Sequence, residues 1–288
     1  MGSEMCIRDS SLEGLSIVLD CAHGASYFVA PRVLRELGAH VTVLGDDPNG
    51  LNINDGVGST KPEAIQAAVR AYKADLGVAL DGDADRCLLV DATGKLVDGD
   101  AILYILAMAR QARGRLSGPV VGTKMSNYGL EQALAAQDIR LERADVGDRY
   151  VFERMQQTDA LLGGEPSGHI LIRDRSRTGD GLVSALQVMA EMAHSGKSLA
   201  ELQEGLTVLP QVLINVRVEG CDVQELLADA QVTRAASEAE ERLQGHGRLL
   251  LRASGTEPLI RVMTEADNDD LARSAADHVA AAVRRCAN

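Results

Sequence analysis

The sequence has 288 residues, of which 45% are hydrophobic and 25% are charged, as in an ordinary globular protein. A single hydrophobic core stops growing near roughly 250 to 300 residues, so we expect more than one domain. The formal net charge of -13 argues against nucleic acid as a partner, because binding its phosphates requires clustered Lys and Arg. The five cysteines are odd in number and scattered, which predicts reduced cytoplasmic thiols rather than disulfides or a zinc site.

The first residues do not resemble the start of a folded domain. Residues 1–10, MGSEMCIRDS, lack the charged segment followed by an apolar segment that marks a signal peptide. No apolar run approaches the roughly 20 residues that span a bilayer, so no membrane partner is expected. A strand-like run starts abruptly at residue 15. We therefore expect residues 1–11 to be a non-native or disordered start, either a truncated beginning or a short disordered tail.

Strand-like and helix-like runs alternate along the first third of the chain. The strand-like runs lie at residues 17–20, 40–44 and 76–80, and the helix-like runs lie near 29–37 and 61–73. Short β-branched runs that alternate with stretches of 3.6-residue period are typical of βαβ units. The sequence therefore predicts an α/β fold with helices on the faces of a parallel sheet.

A second alternating region begins after residue 96. It predicts helices near 99–112, 126–136, 147–157 and 180–195 and strands near 119–122 and 160–163. Residues 196–210 are interpreted as a linker, because a short helix is mixed there with turn residues and a final Pro. The remainder predicts an α+β unit with strands at 211–218, 249–253 and 259–263 and helices near 223–243 and 269–286. We place the domains at 12–96, 97–207 and 208–288.

An acidic loop, DGDADR at 81–86, directly follows a buried-looking strand. Asp81, Asp83 and Asp85 alternate, so their carboxylates can converge on one hard cation such as Mg2+, which would relieve their mutual repulsion. The alternatives are an acidic turn that caps a strand or an EF-hand-like fragment. The EF-hand pattern requires Gly at the sixth position and Glu at the twelfth, where this sequence has Arg86 and Ala92.

A glycine-rich turn, GGEPSGH at 163–169, lies between two strand-like runs. Glu165, Ser167 and His169 offer an acceptor, a hydroxyl and a titratable ring to one small polar ligand, as a sugar requires. The alternative is a hairpin whose polar side chains only satisfy its own backbone.

A third loop, RASGTEP at 252–258, is also flanked by strands. Its backbone N–H groups, hydroxyls and neighbouring guanidinium groups can surround an anion such as phosphate. The residues concerned are Arg252, Ser254, Gly255, Thr256 and Arg261. A plain turn between two strands is the alternative.

Together, in this order and spacing, the three loops resemble those of the α-D-phosphohexomutase superfamily and, within it, the phosphoglucosamine mutase family. The resemblance covers about residues 12–288. The segments that carry it are DGDADR at 81–86, VGDRYV at 146–151, GGEPSGHI at 163–170, TGDGLVSALQ at 178–187, LPQVLINVRV at 209–218 and LLLRASGTEPLIRVM at 249–263.

The resemblance implies a four-domain protein of which the last three domains are present. These would be two α/β domains with mixed sheets, binding the metal and the sugar, and a smaller α+β domain that binds phosphate. The implied reaction interconverts glucosamine 6-phosphate and glucosamine 1-phosphate, on the way to UDP-N-acetylglucosamine and the cell wall. A phosphoserine of the enzyme would donate its phosphoryl group to give a bisphosphate intermediate.

The resemblance also implies a role for each loop residue. Mg2+ would be bound by Asp81, Asp83 and Asp85. Arg86 would lie beside the transferred phosphoryl group, and His169 would be a candidate general acid/base. Sugar hydroxyls would be bound by Glu165 and Ser167. The non-reacting phosphate would be bound by Arg252, Ser254, Gly255, Thr256 and Arg261.

The catalytic serine is the main departure from the family pattern. The family carries it in a TASHNP-like loop of the first domain, and no such sequence occurs here. A phosphoserine oxygen also completes the metal shell in the family, so we expect this chain to bind Mg2+ weakly and to turn over negligible substrate without that domain in cis. Pro166 stands where Gln is commonest in the family, which weakens the choice among sugars.

Two other functions remain open at this point. A phosphomannomutase/phosphoglucomutase of the same superfamily would differ in its sugar but not in its chemistry. A non-catalytic protein that binds a sugar phosphate would need the three loops but no serine.

Overall fold

The protein is described here from a computed structural model, in which the described residues are 11–218, 220–254 and 257–287. The strands are β1 (Ser16–Asp20), β2 (His40–Leu44), β3 (Leu76–Leu80), β4 (Cys87–Asp91), β5 (Leu96–Val97), β6 (Val120–Thr123), β7 (Leu141–Ala144), β8 (Leu162–Gly164), β9 (Ile170–Ile172), β10 (Gln211–Arg217), β11 (Gly247–Ala253) and β12 (Leu259–Ala266). The helices are α1 (Ala30–Glu36), α2 (Glu63–Tyr72), α3 (Gly99–Ala112), α4 (Tyr128–Ala135), α5 (Asp148–Gln157), α6 (Gly181–Ser195), α7 (Val223–Ala228), α8 (Ala230–Leu243) and α9 (Asp269–Ala287).

The chain divides into two compact units. The first comprises Met1–Ser126 and Leu130–Leu206, and the second comprises Asn127–Gly129 and Thr207–Asn288. The domain boundaries placed near residues 96 and 208 stay predictions. Residues 1–10 of the expected non-native start lie outside the described residues.

The first unit contains a five-stranded sheet in the order β2-β1-β3-β4-β5. β1 is parallel to β2 and β3, whereas β3 with β4 and β4 with β5 are antiparallel, so the sheet is mixed. On one face, Val18, Ala79 and Val90 pack in a cluster with Ile65 and Val69 of α2. The other face belongs to a larger core, which explains why every residue of β3 and β4 is buried.

A four-stranded sheet, in the order β7-β6-β8-β9, completes the first unit. β6 is parallel to β7 and β8, and β8 pairs antiparallel with β9. Asp98 caps the N-terminus of helix α3: its side chain accepts a hydrogen bond from Ala101 N at 3.0 Å and so satisfies a free amide of the first turn. Residues 99–107 of α3 are all buried, because this helix contributes to the core that both sheets share.

The second unit is built on an antiparallel sheet, β10-β12-β11. Helices α8 and α9 cover it with small and branched side chains, among them Val232, Ala276 and Val279, which are fully buried. Because Ala dominates the buried face of α9, this helix can approach the sheet closely. The unit has the α+β architecture that the sequence predicts.

The prediction of a single long helix near 223–243 is wrong, because α7 and α8 are separate helices. The break lies at Asp229, whose backbone is extended with ψ 139°. Its side chain accepts hydrogen bonds from Gln231 N at 2.7 Å and Val232 N at 3.3 Å. An aspartate with this backbone conformation caps a new helix instead of continuing the previous one.

The other predicted helices and strands are confirmed, several of them to the residue. Three strands, β4, β5 and β7, were not predicted from the sequence. β4 returns antiparallel directly after the acidic loop, without the crossover helix that a parallel strand needs. Among the helices that the structure describes, none is both long and apolar enough to cross a membrane.

Candidate active site

The acidic loop 81–86 connects two antiparallel strands and is fixed at both ends. Leu80 and Cys87 are directly paired in the sheet. Within the loop, Ala84 N donates a hydrogen bond to Asp81 O at 3.1 Å, and Ala84 is left-handed with φ 61°. This turn brings three carboxylates together, each offering one oxygen within 4.8 Å of the others. They belong to Asp81, Asp83 and Asp85.

The negative charge of this cluster is only partly balanced by the protein. Asp81 is fully buried, and burial followed by the charge of Asp81 raises the pKa of the Asp85 carboxyl. Arg86 donates from Nε to Asp81 Oδ2 at 2.6 Å and from its backbone N to Oδ1 at 3.1 Å. Three carboxylates that face one guanidinium leave an excess of negative charge, and their hard oxygen atoms suit Mg2+.

The glycine-rich turn connects β8 to β9 as a tight hairpin. Glu165 N donates to His169 O at 3.0 Å, and Gly168 N donates to Glu165 O at 3.0 Å. The Glu165 carboxylate is oriented by Gly147, whose N–H donates to Oε1 at 2.9 Å. Ser167 is exposed at the tip of the turn, whereas His169 is 7% exposed. The hairpin therefore holds a fixed acceptor and an accessible hydroxyl next to a buried ring.

The acidic loop and the glycine-rich turn adjoin each other within the first unit. Arg86 and His169 form an antiparallel bridge, and Cys87 N donates to Gly168 O at 3.0 Å. His169 Nδ1 lies 3.2 Å from Asp85 Oδ2, so a carboxylate of the cluster orients the imidazole. Two of the three predicted loops thus form one polar site.

Glycines allow the two segments to approach this closely. A Cβ atom at Gly168 would lie 2.1 Å from Cys87 O, and Gly168 has φ 92°. A Cβ atom at Gly179 would lie 2.4 Å from His169 Nε2. A side chain at Gly168 would overlap the backbone of Cys87, and one at Gly179 would overlap the His169 ring, so only glycine fits at either position without displacing its neighbour.

The third predicted loop lies in the second unit and connects β11 to β12. Arg252 and Arg261 are paired directly across the two strands, and Ser254 N donates to Leu259 O at 2.9 Å. The hydroxyl oxygen of Ser254 and Nε of Arg261 are buried and have no hydrogen-bond partner among the described residues. Buried polar atoms without partners cost free energy, so these two atoms favour a bound anion. Gly255 and Thr256 lie outside the described residues.

Gly147 and Gly179 also shape the site, and neither was predicted to do so from the sequence, although they lie in the segments VGDRYV and TGDGLVSALQ. Gly147 has φ 125°, which a residue with a side chain rarely adopts, and it orients Glu165. Gly179 makes room for His169. A glycine within a motif is the signal that could have identified both positions.

Sequence models of three consecutive domains match the chain. Residues 3–94 match phosphoglucomutase/phosphomannomutase, alpha/beta/alpha domain II; residues 98–208 match alpha/beta/alpha domain III; and residues 213–282 match the C-terminal domain. The chain belongs to the phosphoglucomutase/phosphomannomutase family.

Relatives named phosphoglucosamine mutase match most of the chain. Phosphoglucosamine mutase 2 of Shewanella baltica is 54% identical over 95% of this chain and 61% of its own length. Phosphoglucosamine mutase of Chromohalobacter salexigens is 57% identical over 93% of this chain and 60% of its own length. The chain thus spans about 60% of the length of these curated relatives.

Solved structures share the fold. A phosphoglucomutase/phosphomannomutase family protein from Burkholderia thailandensis has a TM-score of 0.82 at 24% identity, over 98% of this chain and 63% of that one. Aspergillus fumigatus N-acetylphosphoglucosamine mutase, solved in complex with GlcNAc-6P and magnesium, has a TM-score of 0.75 at 23% identity, over 98% of this chain and 64% of that one. At this identity the likeness concerns the fold alone.

Proposed function

We propose that this chain carries the metal, sugar and phosphate sites of a phosphoglucosamine mutase, which interconverts glucosamine 6-phosphate and glucosamine 1-phosphate through a phosphoserine enzyme and a bisphosphate intermediate. The observation that carries the proposal is the junction at Arg86 and His169, where the carboxylate cluster meets the glycine-rich turn. Identities of 54% and 57% to phosphoglucosamine mutases support this sugar over mannose or glucose.

In this proposal the acidic loop positions the positive charges that stabilise the transferred phosphoryl group. Phosphoryl transfer depends on positioning and on stabilising the charge of the equatorial oxygens, more than on covalent chemistry by the protein. Asp81, Asp83 and Asp85 would hold Mg2+, which supplies positive charge to those oxygens when it is bound. Arg86, fixed by Asp81 beside the cluster, adds a second cation whose side chain is 38% exposed.

The glycine-rich turn is proposed to bind the sugar. The Glu165 carboxylate, held by Gly147 N–H, accepts hydrogen bonds from sugar hydroxyls, and the exposed Ser167 hydroxyl adds a donor and acceptor. His169 is proposed as general acid/base, because the Asp85 carboxylate at Nδ1 orients its ring. A carboxylate partner at one ring nitrogen defines which nitrogen exchanges a proton with the substrate.

The loop between β11 and β12 is proposed to bind the phosphate that does not react. Ser254 and Arg261 contribute buried polar atoms without a partner among the described residues, which a phosphate would satisfy. Arg252, paired across from Arg261, adds a second guanidinium. Gly255 and Thr256 complete the proposed set.

Calorimetric titration of the purified chain tests the sugar assignment. We expect binding of glucosamine 6-phosphate to exceed that of glucose 6-phosphate and mannose 6-phosphate, and Glu165→Gln to weaken it. Glu153→Gln, an exposed change on α5 where Glu153 pairs with Arg149, is the matched control and leaves it unchanged. Equal affinity for all three sugars would favour a phosphomannomutase/phosphoglucomutase instead.

A coupled mutase assay with a bisphosphate activator tests the expectation about the serine. Because the sequence contains no TASHNP-like loop, we expect negligible turnover by the chain alone. Measurable turnover at the level of a complete mutase would show that the phosphorylated residue lies within this chain after all.

A further inference from the structure

Asp20, at the end of β1, is a buried carboxylate that links two separate backbone segments. It is fully buried. Its Oδ1 accepts a hydrogen bond from Ala22 N at 2.9 Å, and its Oδ2 accepts one from Gly58 N at 2.7 Å. Burial raises the pKa of the Asp20 carboxyl, and the two amide hydrogen bonds oppose that shift. A carboxylate in such a place costs desolvation free energy, which these hydrogen bonds offset.

Both segments that Asp20 holds lie directly against the acidic loop. Ser59, which follows Gly58, donates from its backbone N to Leu80 O at 2.9 Å, immediately before the first aspartate of the loop. On the other side, Ala25 N donates to Gly82 O at 2.8 Å. A Cβ atom at Gly24 would lie 2.2 Å from Gly82 O, so the two backbones are in contact. Asp20 thereby supports the backbone on both sides of Asp81.

The turn that follows Asp20 needs such support because its backbone is strained. Ala22 and His23 are both left-handed, with φ 54° and 50°, a conformation that costs free energy for residues with side chains. A Cβ atom at Gly58 would lie 2.5 Å from the Ala22 methyl group, so the two segments also touch directly. Strained turns persist where the surrounding contacts fix them. Asp20 fixes this turn directly through Ala22 N, and it holds the neighbouring segment against the turn through Gly58 N.

We propose that Asp20 is a positioning residue for the metal site: it fixes the two segments that hold the acidic loop in the shape in which its three carboxylates converge. This inference rests on the proposed function, in which those carboxylates bind a divalent cation. Asp20 acts through the backbone of the loop and is not proposed to contact the metal or the substrate. Groups that orient metal ligands affect metal affinity without being ligands themselves.

The test compares Asp20→Asn with a matched variant at the other end of the same sheet. Asp91 is 3% exposed, and its Oδ1 accepts hydrogen bonds from Thr93 N at 2.9 Å and Lys95 N at 3.0 Å. Asparagine keeps the side-chain volume at both positions but replaces one oxygen by an amide group, which cannot accept the second hydrogen bond at Asp20. At Asp91 both of these hydrogen bonds go to Oδ1, which asparagine retains, so Asp91→Asn removes a buried negative charge without removing an acceptor. Only Asp20→Asn is therefore expected to lower the melting temperature through a lost hydrogen bond.

Mn2+ affinity, measured from the EPR signal of the free ion well below each melting temperature, separates the two variants. We expect Asp20→Asn to weaken Mn2+ binding by about tenfold and Asp91→Asn to leave it unchanged. If Asp20→Asn binds Mn2+ as tightly as the unmodified chain does, the proposed role of Asp20 is wrong. Equal affinity in Asp83→Asn and the unmodified chain overturns the metal assignment itself, and the role of Asp20 with it.

Hydrogen exchange on the unmodified chain gives a second test that does not depend on the folding of any variant. Because the proposal has the hydrogen bonds of Asp20 and the bound metal stabilise the same loop, we expect Mg2+ to slow exchange of the two amides that donate to Asp20. These are the amides of Ala22 and Gly58. The amides of Thr93 and Lys95, which donate to Asp91, exchange at an unchanged rate. Equal exchange of Ala22 and Gly58 with and without Mg2+ contradicts the proposal.

Discussion

Replacement of Gly168 by Ala would disturb the point where the glycine-rich turn meets the acidic loop. Gly168 has φ 92°, and an added Cβ atom would lie 2.1 Å from Cys87 O and 2.8 Å from Cys87 C. Both contacting atoms belong to the backbone of β4, which cannot rotate away as a flexible side chain can. The hydrogen bond from Cys87 N to Gly168 O, at 3.0 Å, would have to shift as well.

The expected loss in the free energy of unfolding of Gly168→Ala has two parts. The left-handed backbone costs about 1 to 3 kcal/mol for a residue with a side chain. Forcing an extra methyl group into a packed site costs about 1 to 3 kcal/mol more. We therefore expect Gly168→Ala to lower the free energy of unfolding by about 2 to 6 kcal/mol, and the melting temperature by about 2 to 4 °C for each kcal/mol.

Gly196→Ala is the matched control for this experiment. Gly196 ends α6 with φ 68°, but no atom lies within 4 Å of a Cβ added there, so this variant carries the backbone cost alone. Urea unfolding followed by circular dichroism measures both variants. An equal loss for Gly168→Ala and Gly196→Ala would refute the reasoning, because the contact with Cys87 would then contribute nothing.

Three further outcomes are expected. Arg261→Ala should weaken binding of glucosamine 6-phosphate by about 1.5 to 3 kcal/mol, the range for a charge-assisted hydrogen bond, and calorimetry that finds unchanged affinity would contradict the phosphate assignment. Burial raises the pKa of the Cys21 and Cys87 thiols to about 12, so at pH 8 only about one in ten thousand is ionised. Mass spectrometry should find both thiols unmodified by a thiol reagent in the folded protein and modified in urea, and labelling at equal rates would show that they are accessible. Asp98→Ala removes the cap of α3 and should lower the free energy of unfolding in urea by about 0.5 to 2 kcal/mol. An unchanged free energy of unfolding would show that water replaces the cap.

The sequence by itself determined the order of most of the elements and the residue types of the candidate site. Strand β3 and helix α3 have the expected bounds, because their apolar periodicity and flanking residues are local signals. The three aspartates, the glutamate-serine turn and the arginine-flanked loop were identified for the same reason. Each lies within a few residues of sequence and needs no knowledge of distant contacts.

The tertiary structure decided how those segments meet. The approach of His169 to Asp85 depends on the pairing of Arg86 with His169, which lie far apart in sequence, and on glycines whose close contacts lie elsewhere in the chain. The role of Asp20 likewise depends on Gly58, a partner 38 residues away. Local periodicity determines which face of a strand or helix is apolar, but register between distant segments follows from packing of the whole unit, and only the folded chain contains that information.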